Sequence, residues 1–207
     1  MIIFNKGLYL ILTDPARGYE QMTEIAVAEG VPVVQLRYKQ YDIREFVRLA
    51  HRMRKITRNT NTKLIINDRV DIACICGADG VHLGQKDISP KEARTLMGNA
   101  RIMGLSTHNL DQVEKAQSEP VDYIGFGPVY KPFLKDDHDP VTGIELLRAA
   151  VEISRLPVVA IGGMNRQRLD EVADIRFHNV ACIGAIESAE DPAAEMRTIQ
   201  ARISRIV

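Results

Sequence analysis

A single (β/α)8 barrel is the fold the sequence predicts, and three observations predict it. Eight short apolar runs recur along the 207 residues, and amphipathic segments fall between them. The runs are nearly continuous instead of alternating, as strands are in a parallel sheet covered on both faces by helices. A chain of this length holds one sizeable core and is short for two. No Ser/Pro-rich linker or shift of composition divides it, so residues 1–207 read as one compact α/β domain, a TIM barrel. A doubly wound open sheet is the alternative, but no GxGxxG follows the first strand, which argues against its dinucleotide-binding form.

The elements follow in order. LYLIL (8–12) is the first strand, and YEQMTEIAVAEG, closed by glycine, the helix after it. VPVVQLR (31–37) comes second and leads to DIREFVRLAHRMRKIT, opened by an aspartate suited to an N-cap. KLIIN (63–67) precedes DRVDIACICG, and DGVHL (79–83) precedes SPKEARTLMG. RIMGL (101–105), DYIGFG (122–127), PVVAIGG (157–163) and VACIGAI (180–186) complete the strands, with NLDQVEKAQS and GIELLRAAVEIS among the remaining helices.

Charge excludes some functions. Lysine plus arginine equals aspartate plus glutamate, 27 against 27, so the chain lacks the basic excess that holds nucleic acid or an anionic membrane. Any anion must be bound by local geometry. The opening MIIFNKGLYLILTD is too short an apolar run for a membrane span and has no small-residue cleavage site, which reads as a cytoplasmic protein. Cys74, Cys76 and Cys182 have neither redox nor zinc spacing and read as buried, inert thiols. The oligomeric state stays open, a homo-oligomer included.

In such a barrel, function sits where the strands end and the βα loops begin. Polar residues gather there: Thr13, then Gln35, Arg37 and Lys39, then Asn67 and Asp68, Gln85 and Asp87, Ser106 and His108, Lys135, and the glycines Gly162, Gly163 and Gly184. Either aspartate alone reads equally as a helix cap. Brought within about 4 Å, the two would repel by on the order of 4 kcal/mol at an effective dielectric of about 20. A Mg2+ ion offsets such repulsion, typically with one or two carboxylates and substrate phosphate oxygens as ligands. Both acids together with Arg37, Lys39 and Lys135 favour that reading. Gln35, Arg37 and Lys39 share parity, so an extended chain projects them to one side. Gly-Gly after the seventh strand, where barrels often bind phosphate on backbone N–H groups, is a weaker pointer. Of the histidines, His51 and His138 read as uninvolved, His178 as surface and His82 as barrel-lining; His108 alone is placed for acid–base work. The loop KDDHDP (135–140) reads as a solvated segment whose length suits a lid.

Taken together, QLRYK, INDRVDIA, GADGVHLGQKD, GLSTHN, DYIGFGPVY, Lys135 and VVAIGG resemble, in order over nearly the whole chain, the thiamine phosphate synthase family, whose close relative is the thiazole tautomerase. The resemblance implies a (β/α)8 transferase that joins hydroxymethylpyrimidine diphosphate to a thiazole phosphate and releases pyrophosphate. It implies that the segment Gln35, Leu36, Arg37, Tyr38 and Lys39, with Asn67, Ser106 and Lys135, contacts the pyrimidine diphosphate. It further implies that Asp68 and Asp87 hold Mg2+, that Arg37, Lys39, Ser106 and Lys135 are catalytic, and that Gly163, Ile183 and Gly184 face a phosphate through their amides. The chain departs from the family on the acceptor side. A usual Thr-x-Thr ahead of the lysine is replaced by Pro132, Phe133 and Leu134, and a usual serine by Gly184. A tautomerase in which His108 moves the proton, and a non-catalytic protein that keeps only the diphosphate half of the site, are the competing readings.

Overall fold

The computed structural model describes residues 4–40, 42–131 and 140–206. Eight strands, β1 (Gly7–Leu12), β2 (Val33–Leu36), β3 (Lys63–Asn67), β4 (Gly80–Leu83), β5 (Ile102–Thr107), β6 (Tyr123–Phe126), β7 (Val158–Ile161) and β8 (Asn179–Cys182), run parallel in sequential order. Pairing of Leu8 with Val180 and Leu10 with Cys182 closes the sheet on itself, so no strand edge is left to solvent. The fold is the predicted (β/α)8 barrel. Among the described residues no helix is long and apolar enough to cross a membrane.

Alternation along each strand sorts side chains into two cores. Leu8, Leu10, Leu12, Val34, Leu36, Leu64 and Ile66 point outward against the helices, where the larger cluster lies. Tyr9, Ile11, Val33, Ile65, Tyr123, Val159 and Ala181 fill the barrel from within, and Phe4 plugs one end. The helices form where the sequence supplies caps. Asp42 accepts from the Glu45 N–H at the head of α2 (Ile43–Thr57). Ser89 and Glu92 make a reciprocal capping box on α4 (Pro90–Met97), and Gly77, at φ 67°, ends α3 (Val70–Cys76). At the N-terminal end of the barrel Asp79 and Asp122 repeat one device. Each accepts a neighbouring strand's amide, Leu64 N at 2.9 Å and Met103 N at 2.7 Å, and pairs with an arginine, Arg54 or Arg94, at 3.0 Å.

Three expectations are corrected. The last strand stops at Cys182, and the apolar residues after it turn into the short helix α8 (Gly184–Glu187). The fifth strand continues through Ser106 to Thr107. His178 is half-buried at the N-terminal end, its ring on Phe4 and Nε2 3.0 Å from the Phe4 carbonyl, and is not a surface residue. The cysteines are free thiols, Cys76 and Cys182 buried and Cys74 half-buried.

Candidate active site at the barrel mouth

Asp68 and Asp87 meet at the C-terminal ends of β3 and β4. Neither caps a helix. Asp68 sits ahead of Arg69, the residue before α3, in left-handed backbone at φ 62°, while Asp87 Oδ2 accepts the Gly84 N–H at 2.6 Å and leaves the cap of α4 to Ser89. That backbone conformation, uncommon outside glycine, is held by the Asp68 N–H, which donates to the His82 carbonyl at 2.8 Å. Although Asp68 is exposed to the mouth, partial desolvation and then the facing Asp87 carboxylate push its carboxyl up to about 7, against the pull of Arg37 and Lys39. Four of the predicted residues therefore converge on one spot.

Arg37 follows β2 directly and its N–H donates to the Leu12 carbonyl at 2.9 Å. Burial draws its guanidinium below the ordinary value while Asp68 and Glu187 support the charge, and Nη1 is buried with no partner. Glu187, from α8, accepts the Thr13 N–H at 2.7 Å, and burial raises its own carboxyl. Thr13 Oγ1 is likewise buried without a partner. Sequence reading placed Thr13 and Arg37 on this rim and missed Glu187; an acid one turn past the last strand was the available signal. Leu36 is a correction: its side chain is fully buried in the helix-facing layer, so only its backbone reaches toward the mouth. Tyr38 rests on Phe46 with ring centroids 5.2 Å apart, and with Asn67, Asp68 and Arg69 lines a cleft of about 280 Å³.

A connected set of polar groups forms the floor. Gln35 Nε2 donates to the Tyr9 hydroxyl at 2.8 Å, Tyr9 and Tyr123 hydroxyls lie 2.7 Å apart, Tyr123 is 3.0 Å from His82 Nδ1, and His82 Nε2 is 2.9 Å from Ser106 Oγ. Gln85 Nε2 donates to the Ser106 carbonyl at 2.6 Å. Burial raises both phenols, which stay protonated, and with a smaller push from His108 lowers His82 to about 4, which leaves its ring neutral. The barrel-lining expectation for His82 holds; Tyr9 and Tyr123 were not foreseen. His108 Nδ1 lies 2.6 Å from the Gly127 carbonyl, which ties the ring to the backbone.

Gly163 and the Ile183–Gly184 step follow β7 and β8. At Gly163, φ is 61° and a Cβ would lie 2.7 Å from the Lys131 carbonyl oxygen, so only glycine fits. Pro132, Phe133, Leu134 and Lys135, with the rest of the suggested lid up to residue 139, lie outside the described residues.

The fold and this mouth define a (β/α)8 barrel whose strand ends gather two acids and a half-buried arginine, at the face where enzymes of this fold carry their sites. Residues 8–186 match the family model described as thiamine monophosphate synthase. The chain is 40% identical over 189 residues to the thiamine-phosphate synthase of Vibrio campbellii, covering 90% of this chain and 93% of that protein. A Synechococcus thiamine-phosphate synthase is 42% identical over 181 residues, 87% of this chain, and the chain spans about half (51%) of that relative's length. The solved thiamine phosphate pyrophosphorylase of Pyrococcus furiosus superposes with a TM-score of 0.88 at 29% identity, covering 97% and 96% of the two chains. The chain belongs to the thiamine monophosphate synthase family and is a member of that enzyme family.

Proposed function

We propose that the chain condenses hydroxymethylpyrimidine diphosphate with a thiazole phosphate, in a Mg2+-dependent reaction, to give thiamine phosphate and pyrophosphate. The observation that carries this reading is the Asp68–Asp87 pair facing Arg37 at the mouth. A carboxyl pushed up by burial and by a facing carboxylate fits a site for a hard cation, and Asp68 and Asp87 would be its protein ligands. When bound, the ion offsets negative charge on the diphosphate. Arg37, whose Nη1 lacks a partner, and Lys39 bring positive charge to the same group, which grows more anionic as the bond from the pyrimidine methylene carbon to the diphosphate oxygen breaks. The thiazole nitrogen then forms the new bond to that carbon. No protein nucleophile is needed, and positioning by Gln35, Asn67 and Ser106 completes the chemistry.

A proton shift in a thiazole monophosphate has no use for a paired-carboxylate cation site, so the tautomerase is the weaker reading. The test is direct: incubate the purified chain with both substrates and Mg2+ and analyse for thiamine phosphate and pyrophosphate. Formation of both supports the proposal. Their absence, with isomerisation of the thiazole instead or with diphosphate binding alone, rejects it in favour of the tautomerase or of a non-catalytic binding protein.

A further inference from the structure

The polar chain under the mouth has a direction. An amide nitrogen can only donate, so Tyr9 accepts from Gln35 Nε2 at 2.8 Å. Among the described residues the Tyr9 hydroxyl otherwise meets that of Tyr123, 2.7 Å away, so the Tyr9 proton points to Tyr123. Having accepted from Tyr9, Tyr123 turns its own proton to His82 Nδ1 at 3.0 Å. A ring that accepts at Nδ1 carries its proton at Nε2, which faces Ser106 Oγ at 2.9 Å. Ser106 then accepts from below, and its proton is free to point up into the mouth.

We propose that Gln35, Tyr9, Tyr123 and His82 form a one-way hydrogen-bond relay that holds the Ser106 hydroxyl as a donor toward the substrate, with His82 a positioning residue and not an acid or base. This rests on the reading that the mouth binds the pyrimidine diphosphate. The group opposite Ser106 is accordingly a hydrogen-bond acceptor, a ring nitrogen or a phosphate oxygen, and a ligand presenting a donor there is disfavoured because two donors would face each other.

The surroundings hold the relay in place. Gln35, Tyr9 and Tyr123 are 2%, 1% and 0% exposed, so water does not compete for these hydrogen bonds. Two strands give up their inward side chains to make room. A Cβ on Gly104 would lie 2.5 Å from His82 Nδ1 and run into the Tyr123 ring, and one on Gly125 would lie 3.2 Å from His82 Cε1. The imidazole is therefore seated between two glycines with one ring nitrogen to each partner.

Nitrogen-15 NMR of histidine-labelled protein, without substrates, reads the relay directly, with the His82 signals assigned by their loss in His82→Gln. A protonated, pyrrole-like Nε2 and a pyridine-like Nδ1 are expected. The opposite tautomer means that the chain runs backwards, with Ser106 donating to His82, and overturns the proposal. Because this measurement needs no turnover, it is independent of whether thiamine phosphate is made.

A kinetic cycle gives the second readout. Ser106→Ala should lower kcat by about 100-fold, and Tyr123→Phe by about tenfold with KM little changed. In the Ser106→Ala background Tyr123→Phe should change kcat by less than about twofold, because its effect passes through Ser106. Full multiplication of the two losses would show a merely structural role for Tyr123 and overturn the relay. His82→Gln, which keeps an N–H at the end of the side chain, should retain more activity than His82→Phe, and equal loss in the two counts against it. If Tyr123→Phe does not fold, the wild-type tautomer decides.

Discussion

Replacing Asp68 by asparagine should stabilise the metal-free protein at pH 8 while removing the proposed Mg2+-dependent turnover. The folded carboxyl titrates at about 7 because desolvation and Asp87 hold the proton on it, whereas in the unfolded chain it titrates near 3.9. A group whose folded value is raised binds its proton more tightly in the native state. Its stabilising contribution is whole below about pH 4 and is lost as pH rises through about 7. Taken at face value the gap is about 4 kcal/mol. Asp68 is exposed to solvent, and screening reduces this to about 1 to 2 kcal/mol. For a chain of this size that is a rise in Tm of about 2 to 8 °C for Asp68→Asn at pH 8. Thermal unfolding followed by circular dichroism, in EDTA at pH 8 and pH 5, measures it. The difference should narrow at pH 5, where the folded wild-type carboxyl carries its proton for more of the time. Added Mg2+ should raise the wild-type Tm at pH 8 and leave the variant nearly unmoved. A variant with the same advantage at both pH values, or none at pH 8, would refute the idea that the two acids are crowded for a cation.

Arg37→Lys should lower kcat/KM for the diphosphate substrate by about 10- to 100-fold, since an ammonium cannot reproduce the guanidinium fork whose Nη1 lies buried without a partner; steady-state rates check it, and a change below about threefold counts against a direct contact. Gly104→Ala should destabilise by about 1 to 3 kcal/mol in urea unfolding, because its methyl group would collide with Tyr123 and His82, and a wild-type midpoint would mean that the floor is loosely packed. His108→Asn should leave condensation largely intact, since its ring is bonded to the Gly127 carbonyl and an asparagine amide can donate there too. A loss above about 100-fold would favour the isomerase.

The barrel was legible because strands buried on both faces advertise themselves as unbroken apolar runs, and KLIIN coincides with β3 residue for residue. The same feature misled at the last strand. CIGAI is apolar throughout, and periodicity alone does not separate a buried strand from the short helix that begins at Gly184. Asp68, Asp87 and Arg37 were legible only as a set, because either acid alone reads equally as a helix cap whereas two acids and cations at neighbouring strand ends do not. Tyr9 and Tyr123 were not, because they lie 114 residues apart and meet only through closure of the barrel. A tyrosine inside LYLIL looks like any core aromatic. Its hydroxyl acquires meaning only when Gln35 and Tyr123 are placed around it.

The unpaired groups at the mouth bear on how the proposed cation and diphosphate would bind. Four buried side-chain atoms lack a partner among the described residues, and two of them, Thr13 Oγ1 and Arg37 Nη1, lie beside Glu187 on the rim. Arg37 needs an acceptor, whereas Asp68 and Asp87 need positive charge. An anion alone satisfies Arg37 and is repelled by the two acids; a cation alone does the reverse. A cation and a polyanion bound together, as proposed, would answer both, and each should then strengthen binding of the other. Repulsion of about 1 to 4 kcal/mol between the anion and the carboxylates, relieved by the ion, corresponds to at least about a fivefold gain in pyrophosphate affinity when Mg2+ is added. Titration calorimetry at pH 8 with and without Mg2+ measures that ratio, and the gain should shrink in Asp68→Asn, where the neutral side chain has less repulsion to relieve. Equal affinities with and without Mg2+ in the wild type would mean that the acids and Arg37 serve different ligands.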